Sequence, residues 1–203
     1  ACAFPLIKLG LADFSIAGTD TGGKALFAGA RFLLAGLVVL AVAKLCGRSF
    51  AVPRGKTRWQ LVLFGLVNTA LHYFFFYLGV SNSPGGRASI LDSLGTFLLI
   101  LAAAVVFREK LTLRSIFGCL LGFSGIVLIN LGSTAGQFTL SGDGMLLCSS
   151  VCAMAGGLLT RVVTRKMDPL VATGHSLALG GALLIPAGLL MGAHPVGIHL
   201  QGL

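Results

Sequence analysis

Two residues of opposite charge, Arg31 and Asp92, stand inside long apolar stretches of the sequence. A charged side chain within a membrane is costly, so such residues usually face a cavity or pair with one another. At about 1.5 Å of rise per helical residue, both lie roughly 10 Å from the same end of their stretches. The sequence therefore predicts an ion pair between Arg31 and Asp92, either direct or through water. The alternative is that Arg31 reaches the membrane interface while Asp92 caps a helix turn near the headgroups.

Neutral polar residues extend this predicted site toward the middle of the membrane. Asn68 and His72 are four residues apart and so share one face of a helix, and with Thr96 they complete the predicted lining of a solute cavity. A buried Asn or His also often hydrogen-bonds a neighbouring helix, and this alternative stays open. Asp92 and His72, which can both gain and lose a proton, are the candidates for proton coupling. His175 is a candidate for a gate at the opposite membrane face.

The motifs of several other protein classes are missing from the sequence. It contains neither the H-E-x-x-H zinc motif, nor the G-x-S-x-G nucleophile motif, nor the glycine-rich ATP-binding loop. Its five cysteines lie inside or at the ends of apolar stretches, where Cys behaves as a small apolar residue. We therefore expect no catalytic residue, no metal and no cofactor.

Apolar stretches of membrane-crossing length must position these candidate residues. The sequence is 56% hydrophobic and 10% charged, whereas soluble domains carry about 25% charged residues. A helix of about 20 apolar residues crosses the roughly 30 Å of hydrocarbon, and it pairs its own backbone polar groups there. We predict an all-α polytopic membrane protein with about seven spans, the first of them truncated. They lie at 1–12, 24–46, 59–80, 87–107, 113–131, 144–163 and 170–191.

The basic residues indicate how these spans are oriented. Of the 15 Lys and Arg, 11 fall in the loops after the second, fourth and sixth spans or at the span ends that border these loops. Cytoplasmic loops are enriched in Lys and Arg, so these three loops are predicted to be cytoplasmic. The net charge of +9 is divided among loops and does not form one soluble basic face, so we expect no nucleic-acid partner. Glu109, between Arg108 and Lys110, is expected to make exposed ion pairs that add little stability.

A weak internal repeat relates the second span to the seventh. Residues 28–36 align with residues 172–180, and this alignment pairs Arg31 with His175. If the repeat contains five helices, an odd number, its two copies enter the membrane from opposite sides. Inverted repeats of this kind are frequent in secondary transporters.

Three stretches of the sequence resemble the EamA-type branch of the drug/metabolite transporter superfamily. They are ALFAGARFLLAGLVVLAVA, YLGVSNSPGGRASILDSLGTFLLILAAAVVFREKLTLRSIFGCLLGFSGIVLI and GDGMLLCSSVCAMAGGLLTRVVTRKMDP. The sequence departs from that family at two positions. Arg108 stands before Glu109 where the family often has Gly, and Gly95 stands where it often has Pro.

The resemblance implies a ten-helix bundle of two inverted five-helix repeats around a central cavity. Residues 1–131 would be the first repeat, 132–141 a linker, and 142–203 the start of a second repeat that lacks about three helices. It also implies a secondary transporter that moves a small metabolite or drug-like solute across the bacterial inner membrane by alternating access. Membrane lipid would surround it, and the sequence leaves its oligomeric state open. An intramembrane enzyme and a non-transporting membrane scaffold are the alternatives.

Overall fold

The computed structural model describes residues 20–49, 55–109, 112–130 and 138–191. All regular structure in these residues is helical, and it forms six helices. They are α1 (Thr21–Leu45), α2 (Lys56–Asn82), α3 (Gly85–Val106), α4 (Leu113–Asn130), α5 (Leu140–Thr164) and α6 (Pro169–Leu190). All of them except α4 are long and apolar enough to cross a membrane. The chain is therefore an all-α polytopic membrane protein, as the sequence predicts.

The six complete spans predicted from the sequence correspond to these six helices in order. The apolar part of α4, Leu113–Leu128, is shorter than the other spans. The truncated span at 1–12 and most of the linker at 132–141 lie outside the described residues.

Glycines form the contact between α1 and α6. A Cβ on Gly188 would lie 2.7 Å from the backbone nitrogen of Leu26, and one on Gly29 would lie 2.9 Å from that of Ile185. The two backbones therefore touch, which membrane helices achieve with small residues. Residues early in α1 meet residues late in α6, so the two helices are antiparallel. We call this contact the glycine seam.

The glycine seam favours a repeat register that differs by one residue from the predicted one. Its glycines recur at a spacing of 145 residues, Gly29 with Gly174 and Gly36 with Gly181. The repeat read from the sequence used a spacing of 144, which paired Arg31 with His175. In the register of the seam, Arg31 corresponds to Ser176 instead. The packing therefore does not support an equivalence between Arg31 and His175.

The middle of the bundle is held by α2, which packs against α5 and α6. The Thr69 hydroxyl on α2 lies 3.1 Å from the Ser176 hydroxyl on α6, and both residues are buried. On its other side α5 contacts α3, where the Ser150 hydroxyl donates to the Leu91 carbonyl oxygen over 2.6 Å. Hydrogen bonds of this kind join membrane helices where no water is available.

Buried apolar side chains form a cluster toward each end of the bundle. We call the end with the predicted cytoplasmic loops the cytoplasmic end, and the opposite end the outer end. The outer cluster consists of Ala28, Phe32, Ala70, Phe76, Tyr77, Val80, Ala88, Leu146 and Leu184. The cytoplasmic cluster consists of Leu61, Phe64, Val163 and Ala172. Within the described residues, the apolar packing is therefore heavier toward the outer end.

The two departures from the family pattern have different structural settings. Arg108 follows the end of α3 with a φ of 53°, the only positive φ of a non-glycine residue in the described parts of the chain. This left-handed conformation strains any residue with a Cβ by about 1–2 kcal/mol, and glycine escapes the strain. Gly95 lies inside α3, where a Cβ would stand 3.2 Å from the Ser150 carbonyl oxygen.

Candidate functional site

The middle of α2 changes its helical form where the predicted cavity residues lie. Lys56–Gly65 and His72–Asn82 are α-helical, and Leu66–Leu71 between them is π-helical. A π-helical turn widens the hydrogen-bonded ring by one residue, and such turns recur at functional sites. Asn68 lies within the π-helical segment and His72 directly follows it. The backbone itself therefore marks this position in the span.

Asn68 contacts α5 at a glycine. Its Oδ1 atom lies 2.5 Å from the position that a Cβ on Gly156 would occupy. Because any larger residue at position 156 would displace the amide, Gly156 makes the space in which Asn68 lies. The side chain is half-buried at the interface between α2 and α5.

His72 hydrogen-bonds α5, which is the alternative that the sequence left open. Its Nδ1 atom lies 3.1 Å from the Ser149 carbonyl oxygen and 3.1 Å from the Ser149 hydroxyl. The Ser149 hydroxyl also donates to the His72 carbonyl oxygen over 3.2 Å. If Nδ1 carries the proton and donates to the carbonyl, Nε2 of the neutral ring is left as an acceptor. One edge of His72 is thus fixed by α5.

Arg31 does not pair directly with Asp92. The ion pairs of the described residues join other partners, and the Arg31 guanidinium instead lies 5.0 Å from the centre of the Phe32 ring. The Phe32 ring lies 4.1 Å, between centroids, from the Tyr73 ring. Arg31 and Asp92 both lie close enough to the Tyr73 hydroxyl to act on it electrostatically. The two charges therefore share a neighbour, Tyr73. The direct form of the predicted pair is absent, and the form bridged by water stays a prediction.

Asp92 and Thr96 are one turn apart on α3 but have different surroundings. Asp92 is half-buried and lies near His72. Thr96 is exposed and lines a groove of about 220 Å³ between α3 and α4, together with Phe97 and Phe123. The structure thus brings Asp92 toward His72, while Thr96 belongs to the groove at α4.

His175 lies in the cytoplasmic part of α6, apart from the residues around Tyr73. Its Nδ1 atom is 2.8 Å from the Val171 carbonyl oxygen, one turn earlier in the same helix. This position agrees with the depth expected for a residue near the cytoplasmic gate. Its role there stays a prediction.

Sequence reasoning did not include two aromatic residues of α2, Tyr73 and Tyr77, in the candidate site. Tyr73 and Tyr77 are four residues apart and so share one face of α2. Tyr77 is 2% exposed, and its hydroxyl has no hydrogen-bond partner among the described residues. Arg31 also acts electrostatically on Tyr77. The signal in the sequence was the hydroxyl that distinguishes these two residues from the phenylalanines between them.

A buried ion pair at the outer end was also missed. Asp143, at the start of α5, accepts hydrogen bonds from Ser83 Oγ at 2.6 Å, Arg87 Nη1 at 2.9 Å and the Thr139 backbone nitrogen at 3.0 Å. Asp143 is fully buried, and the Arg87 side chain is 14% exposed. We call this group the outer clasp. The sequence placed Arg87 at the outer end of its span, but Asp143, in the first turn of α5, was not considered as its partner.

The cytoplasmic end carries two ion pairs, which we call the cytoplasmic pairs. Both Glu109 carboxylate oxygens accept from Arg161 Nη1 over 2.9 Å. Arg48 lies 3.3 Å from Asp168, the N-cap of α6. The prediction that Glu109 makes an exposed ion pair is therefore confirmed. A helix distant in sequence supplies the partner, and Lys110 lies outside the described residues.

No set of His, Cys, Asp and Glu side chains in the described parts of the chain is arranged to hold a metal ion. The site is instead a group of aromatic and ionisable side chains between α1, α2 and α3. It can offer cationic and hydroxyl donors, a carboxylate and aromatic faces to a small solute.

Residues 3–131 match the EamA-like transporter family. The chain is similar to a chloroplastic WAT1-related protein of Arabidopsis thaliana, with 30% identity across 76% of this chain and 38% of that protein. It is similar to an uncharacterized transporter of Synechocystis sp., with 28% identity across 81% of this chain and 54% of that protein.

A third relative is named "Probable terminal-alkyne amino-acid exporter" and comes from Streptantibioticus cattleyicolor. It is 24% identical across 92% of this chain and 59% of its own length. The chain therefore spans between 38% and 59% of the length of these three relatives. No solved structure matches the chain significantly.

Proposed function

The chain belongs to the EamA-like transporter family, and from this we propose that it acts as a secondary transporter. It moves a small metabolite or drug-like solute across the bacterial cytoplasmic membrane by alternating access. The solute binds among the cavity residues Arg31, Asn68, His72 and Asp92, to which we add Tyr73. Thr96 lines the groove beside them, and His175 serves the cytoplasmic gate.

The observation that carries this proposal is a cation and an anion that stand near one tyrosine without pairing with each other. Arg31 lies about 15 Å along α1 from its outer end, and Asp92 lies about 10 Å along α3 from the same end. Neither of them forms an ion pair with another described residue. Charges at this depth are expensive unless a cavity or ligand compensates them, so their presence favours a solute site.

Alternating access is supported by the contacts at the two ends of the bundle. The antiparallel α1 and α6 are the arrangement that an inverted repeat needs. The outer clasp and the cytoplasmic pairs lie on opposite sides of the proposed site. In a carrier these two groups of contacts would break in turn, one when the site opens outward and the other when it opens inward.

Proton coupling would use His72 or Asp92. Ser149 fixes one edge of the His72 ring, and Asp92 lies near the same ring. A proton that moves between this carboxylate and this imidazole would change the charge of the site during transport.

Solute flux into proteoliposomes tests the proposed function. A panel of radiolabelled metabolites, including amino acids because of the name of one relative, would be offered to liposomes preloaded with the same unlabelled compound. A carrier gives uptake that saturates and accelerates with preloading, whereas a scaffold gives neither. Arg31→Gln should reduce that uptake by at least tenfold. Lys44→Gln, which removes an exposed charge outside the site and outside the ion pairs at the two ends, should leave it unchanged.

The outcome that overturns the proposal is equally concrete. It would be the absence of accelerated exchange for every compound in the panel, together with turnover of a lipid or peptide by the same preparation. That result would favour the intramembrane enzyme.

A further inference from the structure

The donors around Arg31 differ from the rest of the site because no described acceptor satisfies them. The guanidinium carries five N–H donors and no acceptor, and it pairs with no described carboxylate. Tyr73 and Tyr77 add two hydroxyl donors on one face of α2, and Arg31 acts electrostatically on both. A cluster of donors with a net positive charge is complementary to an oxyanion.

The Tyr77 hydroxyl is the observation that points to a ligand. It is buried, with no hydrogen-bond partner among the described residues, although most buried tyrosine hydroxyls find one. An unsatisfied buried donor destabilises the folded state, because it has lost its hydrogen bond to water without gaining another. A phenylalanine would fill the same space without that penalty, as Phe74 and Phe76 do elsewhere in the same segment. A hydroxyl at this position thus lowers stability unless something binds to it.

The rings around the donors shape the approach of such a ligand. Phe32 lies under the Arg31 guanidinium at 5.0 Å and beside Tyr73 at 4.1 Å. A cation over an aromatic face keeps its N–H edges available for hydrogen bonds in the ring plane. Arg31 thus lies over the Phe32 ring and is exposed, so its N–H groups are accessible to an anion.

We infer that Arg31, Tyr73 and Tyr77 form a subsite for the anionic group of the transported solute, with a carboxylate as its ligand chemistry. The inference rests on the proposed function and deepens it, because it names the class of solute. The planar guanidinium fork matches the two oxygens of a carboxylate. The Tyr77 hydroxyl donates a further hydrogen bond when the anion is bound. Asp92, on α3, would repel the anion from its own side and so position it against α1.

Thermal unfolding of the purified protein in detergent tests this subsite. The probes are carboxylates of increasing size, each compared with its own primary amide, which has the same shape without the charge. A ligand that binds only the folded state raises the unfolding temperature. We expect at least one carboxylate to stabilise the protein more than its amide does. Phosphate monoesters of matched size distinguish a carboxylate subsite from a general oxyanion site.

Tyr77→Phe gives the decisive result because it should act in opposite directions on two measurements. The variant should unfold at a higher temperature than the wild type without ligand. It should also bind the stabilising carboxylate about tenfold more weakly, because a hydrogen bond to a charged group is lost. Arg31→Gln should abolish the preference for carboxylate over amide. Thr69→Val, which removes a hydroxyl outside the subsite, should leave carboxylate affinity unchanged.

Three outcomes overturn the inference. They are carboxylates that stabilise no more than their amides, a Tyr77→Phe variant with unchanged carboxylate affinity, and phosphate esters that bind better than every carboxylate. Accelerated exchange of neutral solutes in proteoliposomes would then leave the carrier proposal standing without the anion subsite. The absence of accelerated exchange for every solute in proteoliposomes would instead contradict the carrier proposal itself.

Discussion

The outer and cytoplasmic ends of the bundle are both closed by ion pairs, but the two sets of pairs differ in burial. At the outer end, Asp143 is fully buried and Arg87 is 14% exposed. At the cytoplasmic end, Arg161 and Glu109 are 47% and 50% exposed. Exposed pairs contribute about 0–1 kcal/mol, whereas removing one partner of a buried pair costs about 3–5 kcal/mol. Removing one partner therefore costs more at the outer end than at the cytoplasmic end.

The glycines that end the glycine seam also differ in their neighbours, and the backbones lie closer together at the outer end. At the outer end, a Cβ on Gly188 would meet the backbone of Leu26 and Gly22. At the last glycine of the cytoplasmic end, a Cβ on Gly174 would first meet the side chain of Leu40, at 2.8 Å, although nearer the middle of the seam a Cβ on Gly36 would meet the backbone of Ala178. A side chain can move aside and a backbone cannot do so without shifting the helix. In a carrier with this structure, the cytoplasmic end would open at the lower energetic cost.

The largest expected effect comes from breaking the outer clasp. Asp143→Asn should lower the free energy of unfolding by about 3 kcal/mol, because it removes the negative charge from a largely buried ion pair. Denaturant unfolding in detergent micelles, followed by circular dichroism, measures the loss. Glu109→Gln removes one negative charge in the same way at the cytoplasmic end and is the matched control. Equal losses in the two variants would remove the basis of the comparison.

A double-mutant cycle separates the ion pair from other effects of the same substitution. If the clasp acts as a unit, Arg87→Gln combined with Asp143→Asn should cost less than the sum of the two single variants. Strict additivity would show that Ser83 and Thr139, rather than Arg87, satisfy the buried carboxylate.

The second prediction compares the two ends of the glycine seam. Gly188→Ala should destabilise the protein by about 1–3 kcal/mol, because the new methyl group must push α1 and α6 apart. Gly174→Ala should change stability by less than about 1 kcal/mol, since the better helix propensity of alanine offsets a small rearrangement of Leu40. Gly122→Ala is the control, because nothing lies within 4 Å of its Cβ position. A larger loss for Gly174→Ala would reverse the proposed ranking of the two ends.

The sequence predicted the depth of residues well and their partners poorly. The hydrophobic pattern gives the bounds of each span, so α3 was predicted to begin near Arg87. The depth of a residue then follows from its distance to the end of the span, at about 1.5 Å per residue. Partners also depend on how each helix is rotated about its axis, which packing decides. The direct form of the predicted pair between Arg31 and Asp92 is absent for this reason, and the form bridged by water stays a prediction. The sequence predicted that Glu109 makes an exposed pair, but it did not identify the partner, Arg161, which comes from a helix distant in the sequence.

The candidate site was predictable by residue type and only partly by arrangement. Isolated polar residues in apolar stretches led to Asn68 and His72, and His72 proved to bond α5. The π-helical segment could not be predicted, because Leu66–Leu71 has no proline or other sequence break. Tyr77 was missed because its ring was counted as apolar, and the need of its hydroxyl for a hydrogen-bond partner was not considered.

Arg108 provides a smaller, stabilising prediction at the cytoplasmic end. Its φ of 53° favours glycine, so Arg108→Gly should raise the free energy of unfolding by about 1 kcal/mol. Arg165→Gly is the matched control, since Arg165 has a φ of −70° and no such strain to relieve. Thermal unfolding of both variants in detergent measures the difference. Stabilisation by Arg165→Gly to the same extent would attribute the effect to lost positive charge instead of backbone strain.

The smallest expected effect concerns the pair between Glu109 and Arg161. Glu109→Gln should cost about 0.2–1 kcal/mol at low salt, since both side chains are half exposed and water screens their attraction. The loss should shrink further between 10 and 500 mM salt, as the screening length falls from about 30 Å to a few ångströms. The loss caused by Asp143→Asn should stay nearly constant over the same range, because burial shields that pair from counterions. Unfolding measured across the salt series thus separates the two ends by mechanism as well as by size. If the loss in free energy of unfolding caused by Glu109→Gln did not depend on salt, the pair of Glu109 with Arg161 would be shielded from counterions as the outer clasp is, in spite of its exposure.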